Sequence, residues 1–481
     1  MKPLKWYDHI KINLFWLGMN IRNNSVSSVL MPYMVAILAA PEIRNTALGG
    51  MRTAGLLIAM LVQPAMGILS DRSTSRFGRR RPFIFVGVLL DLVCLALIAA
   101  AGDYWFLLVA ILLFQFTSNI SHAAVQGLIP DLVPEDQRGL SSGVKSFMEL
   151  VPLILVALII ARLVSGGYFV LAVIVTGAGL LIVMLLTMLL VKEKPLEHKP
   201  DLPLGPPMLR VLGMLAGIGI GALAGLVGGG IIGGLGGLAA WALSNQQTAL
   251  AVGVGLGGTV AMIVAVVVGV WAGAFATIGR EVRQYGSFTW WVVNRLLFLT
   301  AITSLQSFAP FFLMYAFKIN AAEAAGVNGN LLAVVGVCTL LTAVPSGWLS
   351  DRFGYRRLLS ASGIIAGLGA FLLLGAIWVP NMALIYAAGC ILGLATGLFV
   401  SSNWALGTRL APPAEAGRFL GISNLAGAGA GMVGTGIGGP MADYLEKILP
   451  GLGYFVLFAG YGVLFVLSTV SIFMIKKENR A

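Results

Sequence analysis

Long apolar segments, each long enough to cross a bilayer as a helix, follow one another along the chain and are separated by short polar segments. A hydrocarbon core about 30 Å thick needs about 20 residues of helix, so this pattern predicts fourteen membrane spans. The predicted spans lie near 12–38, 48–70, 82–101, 104–128, 140–164, 167–191, 209–243, 249–276, 288–316, 328–350, 357–379, 381–407, 418–444 and 453–475. The predicted fold class is therefore an all-α membrane protein.

The composition agrees with a membrane location. Of the 481 residues, 58% are hydrophobic and 10% are charged, whereas a soluble domain carries about 25% charged residues. A soluble enzyme and a DNA-binding protein are therefore disfavoured. With the N-terminus inside, 23 lysines and arginines fall on the inner side and 4 on the outer side, as the positive-inside rule describes. This bias predicts cytoplasmic N- and C-termini in a plasma (inner) membrane, and it explains the net charge of +12 without a nucleic-acid partner.

Residue types that bind metals or carry out enzymatic chemistry are scarce. The chain has three cysteines and three histidines. The cysteines lie in apolar segments without metal-ligand spacing, and the histidines form no cluster with cysteines or carboxylates. We therefore expect no metal, no cofactor and no enzymatic activity.

A motif in the loop after the second span recurs later in the chain. Gly-Ile-Leu-Ser-Asp-Arg begins at Gly67 and Gly-Trp-Leu-Ser-Asp-Arg begins at Gly347, at an offset of 280 positions. Pro32 and Pro310 are related by a similar offset of 278 positions. A repeat at a nearly constant offset indicates two duplicated halves. The predicted domains are a six-helix half at 1–192, a linker with two inserted Gly-rich helices at 193–287, and a second six-helix half in parallel orientation at 288–481.

Two parallel repeats of six helices resemble the major facilitator superfamily. The loop from Ser70 to Ile84, with Gln63-Pro64 before it, more specifically resembles the sucrose:proton symporters and the related glycoside–cation symporters. The resemblance implies a secondary active transporter that works by alternating access and couples the transport of a sugar or glycoside to a cation, expected to be a proton. Two alternatives stay open, namely an exporter of amphipathic small molecules and a non-transporting membrane assembly factor on the same fold.

The duplicated loops are interpreted as a gate. An aspartate where a helix meets the cytoplasm can face the positive N-terminal end of a helix from the other half, and arginines can pair with carboxylates or lipid phosphates. The alternative is that these arginines only anchor the topology. The predicted gate residues are Gly67, Asp71, Arg72, Gly78, Arg79, Arg80, Gly347, Asp351, Arg352 and Arg356.

Charged residues within the spans are the candidates for coupling, since a charge at the bilayer centre costs roughly 2.5–3.5 kcal/mol. The candidates are Asp91, Glu149, Arg22 and Lys145. Lys145 and Glu149 are one helical turn apart, and an Arg22–Glu149 pair would make a protonatable switch. A static ion pair or no contact at all is the alternative. Glu149 is the preferred coupling residue, because the resemblance places the span of Asp91 at the periphery.

Neutral polar residues gather on the spans that line the central cavity in the superfamily. Side-chain amides and hydroxyls of this kind suit a hydroxyl-rich substrate. The cavity candidates are Asn20, Asn23, Asn24, Gln115, Asn119, His122, Ser304, Gln306 and Asn403. Gln115 and Gln126 stand where the pattern of the sucrose symporters has a carboxylate and an arginine, so this part of the pattern does not carry over.

The first inserted helix has a glycine at every fourth position from Gly213 to Gly237. A helix face without side chains lets two helices pack backbone to backbone in lipid. We therefore expect the two inserted helices to pack against each other at the periphery. The expected state is a monomer, with a dimer through the inserted helices as the alternative.

Overall fold

The computed structural model describes residues 4–193, 195, 205–410 and 416–475, and the regular structure in these residues is helical throughout. The helices are α1 (Trp6–Asn24), α2 (Met31–Leu38), α3 (Arg44–Asp71), α4 (Arg81–Ala99), α5 (Tyr104–Gln126), α6 (Leu128–Leu132), α7 (Arg138–Leu158), α8 (Ile160–Ser165), α9 (Phe169–Leu190), α10 (Gly205–Leu243), α11 (Gln246–Ile278), α12 (Gly286–Phe317), α13 (Ala321–Phe353), α14 (Tyr355–Leu374), α15 (Met382–Leu410), α16 (Ala416–Glu446) and α17 (Leu452–Ile472).

Twelve helical stretches within the described ranges are long and apolar enough to cross a membrane. The two other predicted spans correspond to α1 with α2 and to α16. Charged side chains in α1 and the many glycines of α16 lower the hydropathy of these helices without interrupting them. The prediction of an all-α membrane protein with two extra helices between its halves is confirmed.

The first span contains a local irregularity. A π-helical segment, Ser25–Leu30, joins α1 to α2, and the Ser25 hydroxyl donates a hydrogen bond to the Ile21 carbonyl oxygen over 2.7 Å. Pro32, which has no backbone N–H, lies at the start of α2. Widened turns of this kind are frequent at functional sites. Here the π-segment directly follows Arg22, Asn23 and Asn24.

The chain divides into two compact units. Unit 1 comprises Met1–Ala39, Ala54–Met208 and Asn320–Gly336, and unit 2 comprises Ala40–Thr53, Leu209–Ile319 and Val337–Ala481. These bounds differ from the two halves of the repeat because the first turns of α3 pack within unit 2 and the first turns of α13 pack within unit 1. The inserted helices α10 and α11 belong to unit 2.

In unit 1, α1 packs against α7 and α9, while α4 packs against α5 and α9. Phe15, Trp16 and Met19 of α1 lie in a buried cluster with Ile84 and Val88 of α4. This apolar packing holds the polar end of α1 next to α4 and α5.

In unit 2, the inserted helices form a hairpin whose glycines face the partner helix. A Cβ on Gly229 would lie 2.3 Å from the carbonyl oxygen of Gly257, and a Cβ on Gly221 would lie 2.5 Å from that of Ala265. Such close approach requires glycine at these positions. The outer side of α11 packs against α12, α16 and α17. The glycine face is thus used inside the hairpin, as its spacing predicts.

Candidate functional site

A buried ion pair joins α1 to α4. A guanidinium nitrogen of Arg22 contacts a carboxylate oxygen of Asp91, and both side chains are almost completely inaccessible. The hydroxyl of Thr117 on α5 donates to the other carboxylate oxygen of Asp91 over 2.5 Å. Arg22 also donates to the side-chain oxygen of Asn23, over 2.9 Å from Nη2. The two charges therefore compensate each other inside a buried part of unit 1, where a lone charge would be costly.

The expected pairing of Arg22 with Glu149 does not occur. Glu149 instead forms an ion pair with Lys145, in which Oε1 and Nζ are 2.9 Å apart, and about a third of each side chain is exposed. The Lys145 ammonium lies 4.2 Å from the centroid of the Trp16 ring, in a cation–π contact. Sequence spacing identified the Lys145–Glu149 pair, but the partner of Arg22 depends on how α1 is rotated against α4.

The other predicted polar residues of unit 1 lie on α1 and α5, near this pair. Asn119 donates to the carbonyl oxygen of Gln115 over 2.7 Å, and Asn20 donates to that of Trp16 over 2.9 Å. His122 has its ring centroid 5.7 Å from that of Trp16. Asn23 is brought into the Arg22 cluster, while Asn24 directly precedes the π-segment. Most of these amides keep hydrogen-bonding capacity that a substrate could use.

Unit 2 contains a second polar cluster, centred on Asn403 of α15. Its side chain donates to Asn294 over 2.9 Å and accepts from Arg295 over 3.1 Å. The guanidinium of Arg295 also lies 5.3 Å from the Trp404 ring centroid. Within the described ranges, no carboxylate lies within ion-pair distance of Arg295. Of the other candidates in this unit, Ser304 is buried and Gln306 is half-buried, and both lie on α12. The sequence marks Asn294 and Arg295 as polar and charged residues within a span, but it does not predict their contacts with Asn403 on α15.

The two duplicated loops, which follow α3 and α13, are called here the first and second signature loops. The first signature loop forms a dense ionic cluster around Arg80. This side chain is buried and contacts Asp71, and its Nε donates to Asp131 over 2.9 Å. Arg79 contacts the second oxygen of Asp131. Arg72, in contrast, is outside this cluster. The structure thus brings together the predicted gate residues Asp71, Arg79 and Arg80, and it adds Asp131 of α6 to them.

Glu193 completes the signature-loop cluster. Its Oε2 accepts from the backbone N–H of Arg80 over 2.8 Å, at the start of α4 where N–H groups lack helical partners. Burial raises the pKa of Glu193 above its usual value, although the backbone hydrogen bonds oppose this shift. Gly78 has a φ of +107°, and a Cβ there would lie 2.5 Å from Glu193. Sequence reasoning missed Glu193 because no motif connects the end of α9 to this loop.

The second signature loop is more open. Asp351 lies 3.9 Å from Arg409 and accepts from the Tyr355 hydroxyl over 2.7 Å, with 68% of its side chain exposed. Arg352 lies against the Trp348 ring, and Arg356 donates to the Ile472 carbonyl oxygen over 3.1 Å. A Cβ on Gly347, or on Gly67 in the first loop, would meet no described atom within 4 Å. No described atom therefore approaches either glycine closely in this structure, and their part in the gate stays a prediction.

Metal ligation does not account for any of these clusters. Across the described ranges, no group of three or more histidine, cysteine, aspartate or glutamate side chains could hold a metal ion. The clusters consist instead of ion pairs, amides and hydroxyls, which suit reversible binding of polar molecules and transfer of protons.

The sequence profile of the Major Facilitator Superfamily matches residues 17–318 and 291–481. These matches cover most of the chain, and the chain belongs to this superfamily. It is accordingly a multi-pass membrane protein of a transporter superfamily.

Parts of the chain are similar to curated sugar transporters. One segment is 36% identical over 101 residues to the general alpha-glucoside permease of Schizosaccharomyces pombe, covering 18% of each chain. Another match is 29% identical over 112 residues to the sucrose transport protein SUC3 of Arabidopsis thaliana, covering 19% of each chain. The chain thus matches less than a fifth of the length of these relatives. A D-xylose-proton symporter has a similar fold, with a TM-score of 0.64, 14% identity, and coverage of 98% of this chain and 97% of that one.

Proposed function

We propose that this transporter moves a sugar or glycoside together with a proton by alternating access. The observation that carries the proposal is the buried Arg22–Asp91 pair, which lies beside the π-segment of the first span. A carboxylate in a buried ion pair can bind a proton only if other polar groups or water then stabilise the charge of its partner cation. Binding of the proton and rearrangement of Arg22 are therefore linked.

Asp91 is the coupling carboxylate in this proposal. Protonation of Asp91 would leave the Arg22 charge unpaired in a low-dielectric region, which is costly. The guanidinium would then turn toward water or toward substrate oxygens, and Asn23 would turn with it. Lys145 and Glu149 have a secondary role, because their pair is partly exposed and is formed within one helix.

The polar side chains of each unit support a hydroxyl-rich substrate. Gln115, Asn119 and Asn20 supply amides in unit 1, and Asn403 supplies one next to Arg295 and Trp404 in unit 2. Amides and guanidinium groups form directional hydrogen bonds with hydroxyls, and an aromatic ring gives an apolar face. Sugar transport by the glucoside permease and the sucrose transport protein agrees with this substrate class.

We further propose a plasma-membrane location with both termini in the cytoplasm, on the basis of the lysine and arginine distribution. The gate role of Gly67, Asp71, Arg72, Gly78, Arg79, Arg80, Gly347, Asp351, Arg352 and Arg356 belongs to the same proposal. The protein acts as a monomer, since the glycine face of α10 that could support a dimer is occupied by α11.

The direct test is uptake by proteoliposomes. Purified protein is reconstituted, and a panel of labelled mono- and disaccharides and glycosides is offered with and without an inwardly directed proton gradient. We expect at least one member to accumulate above its equilibrium level, and the accumulation to vanish when a protonophore is added. Equal uptake by protein-free liposomes for the whole panel would refute the substrate class. Uptake that is independent of the gradient would refute the proton coupling.

A further inference from the structure

The N-terminal end of α3 is capped by a carboxylate from α16. Asp443 accepts from the backbone N–H of Thr46 over 2.7 Å and of Asn45 over 3.3 Å, and the Asn45 side-chain amide donates to it over 2.7 Å. Asp443 is only 7% exposed. The first N–H groups of a helix lack intrahelical partners and carry a partial positive charge. A buried anion at this position therefore binds α3 firmly to α16.

Close backbone contacts continue along the same two helices. A Cβ on Gly49 would lie 2.2 Å from the carbonyl oxygen of Thr435, and a Cβ on Gly439 would lie 2.4 Å from that of Asn45. Thr53 lies further along α3, and its hydroxyl is 3.4 Å from the Met432 carbonyl oxygen. The first turns of α3 and the last turns of α16 thus make a tight contact within unit 2, which we call the α3–α16 seam.

The internal repeat provides a counterpart within unit 1. A Cβ on Gly329 would lie 2.9 Å from the carbonyl oxygen of Ala157. Gly329 corresponds to Gly49 at the offset of 280, and Ala157 corresponds to Thr435 at the offset of 278. We call this contact between α13 and α7 the unit 1 seam. Because the same contact occurs in both units, the two seams belong to the repeat architecture and do not reflect a local packing need of one unit.

The two seams differ in charge. At the offset of 278, Ser165 stands in the position that corresponds to Asp443. Ser165 is close to Gly326, where a Cβ would lie 2.8 Å from its Cβ, and it donates to the Arg162 carbonyl oxygen. A neutral side chain in the unit 1 seam therefore corresponds to the buried carboxylate of the α3–α16 seam.

We infer that Asp443 is a latch that sets the conformational equilibrium of the transporter. The seam joins a helix of the first half to a helix of the second half, at the end of both helices predicted to be extracellular. If the halves alternate, as in the proposed function on which this inference rests, the seam must open when the substrate path opens to the outside. The carboxylate then moves from the helix N-terminus into water, so its removal shifts the population toward the open state.

The test measures access to a residue beyond the latch. The cysteines Cys94, Cys338 and Cys390 are replaced by serine or alanine, and Thr53→Cys is introduced as a reporter. Alkylation by a membrane-impermeant maleimide is then followed in vesicles whose extracellular side faces out. We expect Asp443→Asn to increase the alkylation rate about fivefold, the factor that corresponds to about 1 kcal/mol for a carboxylate charge at a helix N-terminus. Asp443→Ser, which reproduces the neutral side chain of the unit 1 seam, should also increase it.

Glu446→Gln is the matched control. It removes a carboxylate one turn away that accepts, over 2.8 Å, from the backbone N–H of Gly451 rather than from the N-terminal end of α3. This variant should keep the parent rate. Equal rates in Asp443→Asn, Asp443→Ser and the parent would overturn the latch, and so would an equal increase in Glu446→Gln. The assay needs neither sugar nor a gradient, so failure of the coupling proposal and failure of the latch give different results.

Discussion

Arg80 illustrates how one buried side chain organises a region of this protein. Its guanidinium contacts Asp71 and Asp131, and its backbone N–H is capped by Glu193. Each partner comes from a different segment, so the loop, the end of α6 and the end of α9 are held together at one point. Gly78 adjoins this point because its positive φ and missing Cβ leave room for Glu193.

At this residue scale we predict that Gly78→Ala destabilises the protein. A side chain at φ +107° is strained, and the added Cβ would collide with Glu193, so we expect a loss of about 1–3 kcal/mol. Gly67→Ala is the control, since its Cβ would meet no described atom within 4 Å and the site is helical. The thermal unfolding midpoint in detergent should fall for Gly78→Ala alone. Equal midpoints for both variants would show that the backbone at Gly78 is not constrained.

The same comparison addresses the gate. If Gly67 allows a close approach in another conformation of the transport cycle, Gly67→Ala should reduce the transport rate without lowering the unfolding midpoint. Unchanged transport in a stable Gly67→Ala variant would remove this glycine from the gate.

At the scale of elements, hydropathy and glycine spacing predict those features that are encoded within a single helix. The spans and the glycine face of α10 follow from such local patterns. The rotation of one helix against another depends on packing over the whole helix, and no single residue encodes it. For this reason the sequence analysis expected Arg22 to pair with Glu149, whereas in the structure Arg22 of α1 contacts Asp91 of α4. Glu193 was missed for a related reason, since its partners are 113 positions away.

The hairpin of α10 and α11 leads to a prediction for adjacent glycines. Gly229→Leu should separate the two helices, because a Cβ there would lie 2.3 Å from the Gly257 carbonyl oxygen. Overpacking of this kind costs about 1–3 kcal/mol. Gly230→Leu should be tolerated, since its Cβ would meet no described atom within 4 Å. Thermal unfolding of both variants checks this, and a larger loss for Gly230→Leu would contradict the hairpin packing.

At the scale of the whole molecule, the repeat has preserved positions but not strengths of interaction. The signature loop of the first half holds a buried arginine with two acidic partners, whereas the loop of the second half has a 3.9 Å pair at the surface. Likewise, the α3–α16 seam has a carboxylate where its counterpart has a serine. The two halves therefore share the positions of their contacts, and they differ in the charged residues that form them.

This asymmetry predicts unequal effects of the two signature aspartates. Asp71→Asn should lower the transport rate about tenfold, because it weakens a charged hydrogen bond to the buried Arg80. Asp351→Asn should change the rate by less than about threefold, since exposed ion pairs contribute about 0–1 kcal/mol. Initial uptake rates at equal reconstitution density provide the measurement. A larger loss for Asp351→Asn would reverse the assignment of the stronger gate.

The central claim, that Asp91 couples the proton to the substrate, is tested most directly by two transport assays on one preparation of Asp91→Asn. One assay follows sugar accumulation driven by a pH gradient, and the other follows exchange of labelled for unlabelled sugar without a gradient. The asparagine resembles the protonated acid and cannot release a proton, so we predict that accumulation falls to background while exchange continues. Glu149→Gln, the matched control, should retain both activities. Full gradient-driven accumulation by Asp91→Asn, or loss of both activities, would contradict the coupling role of Asp91.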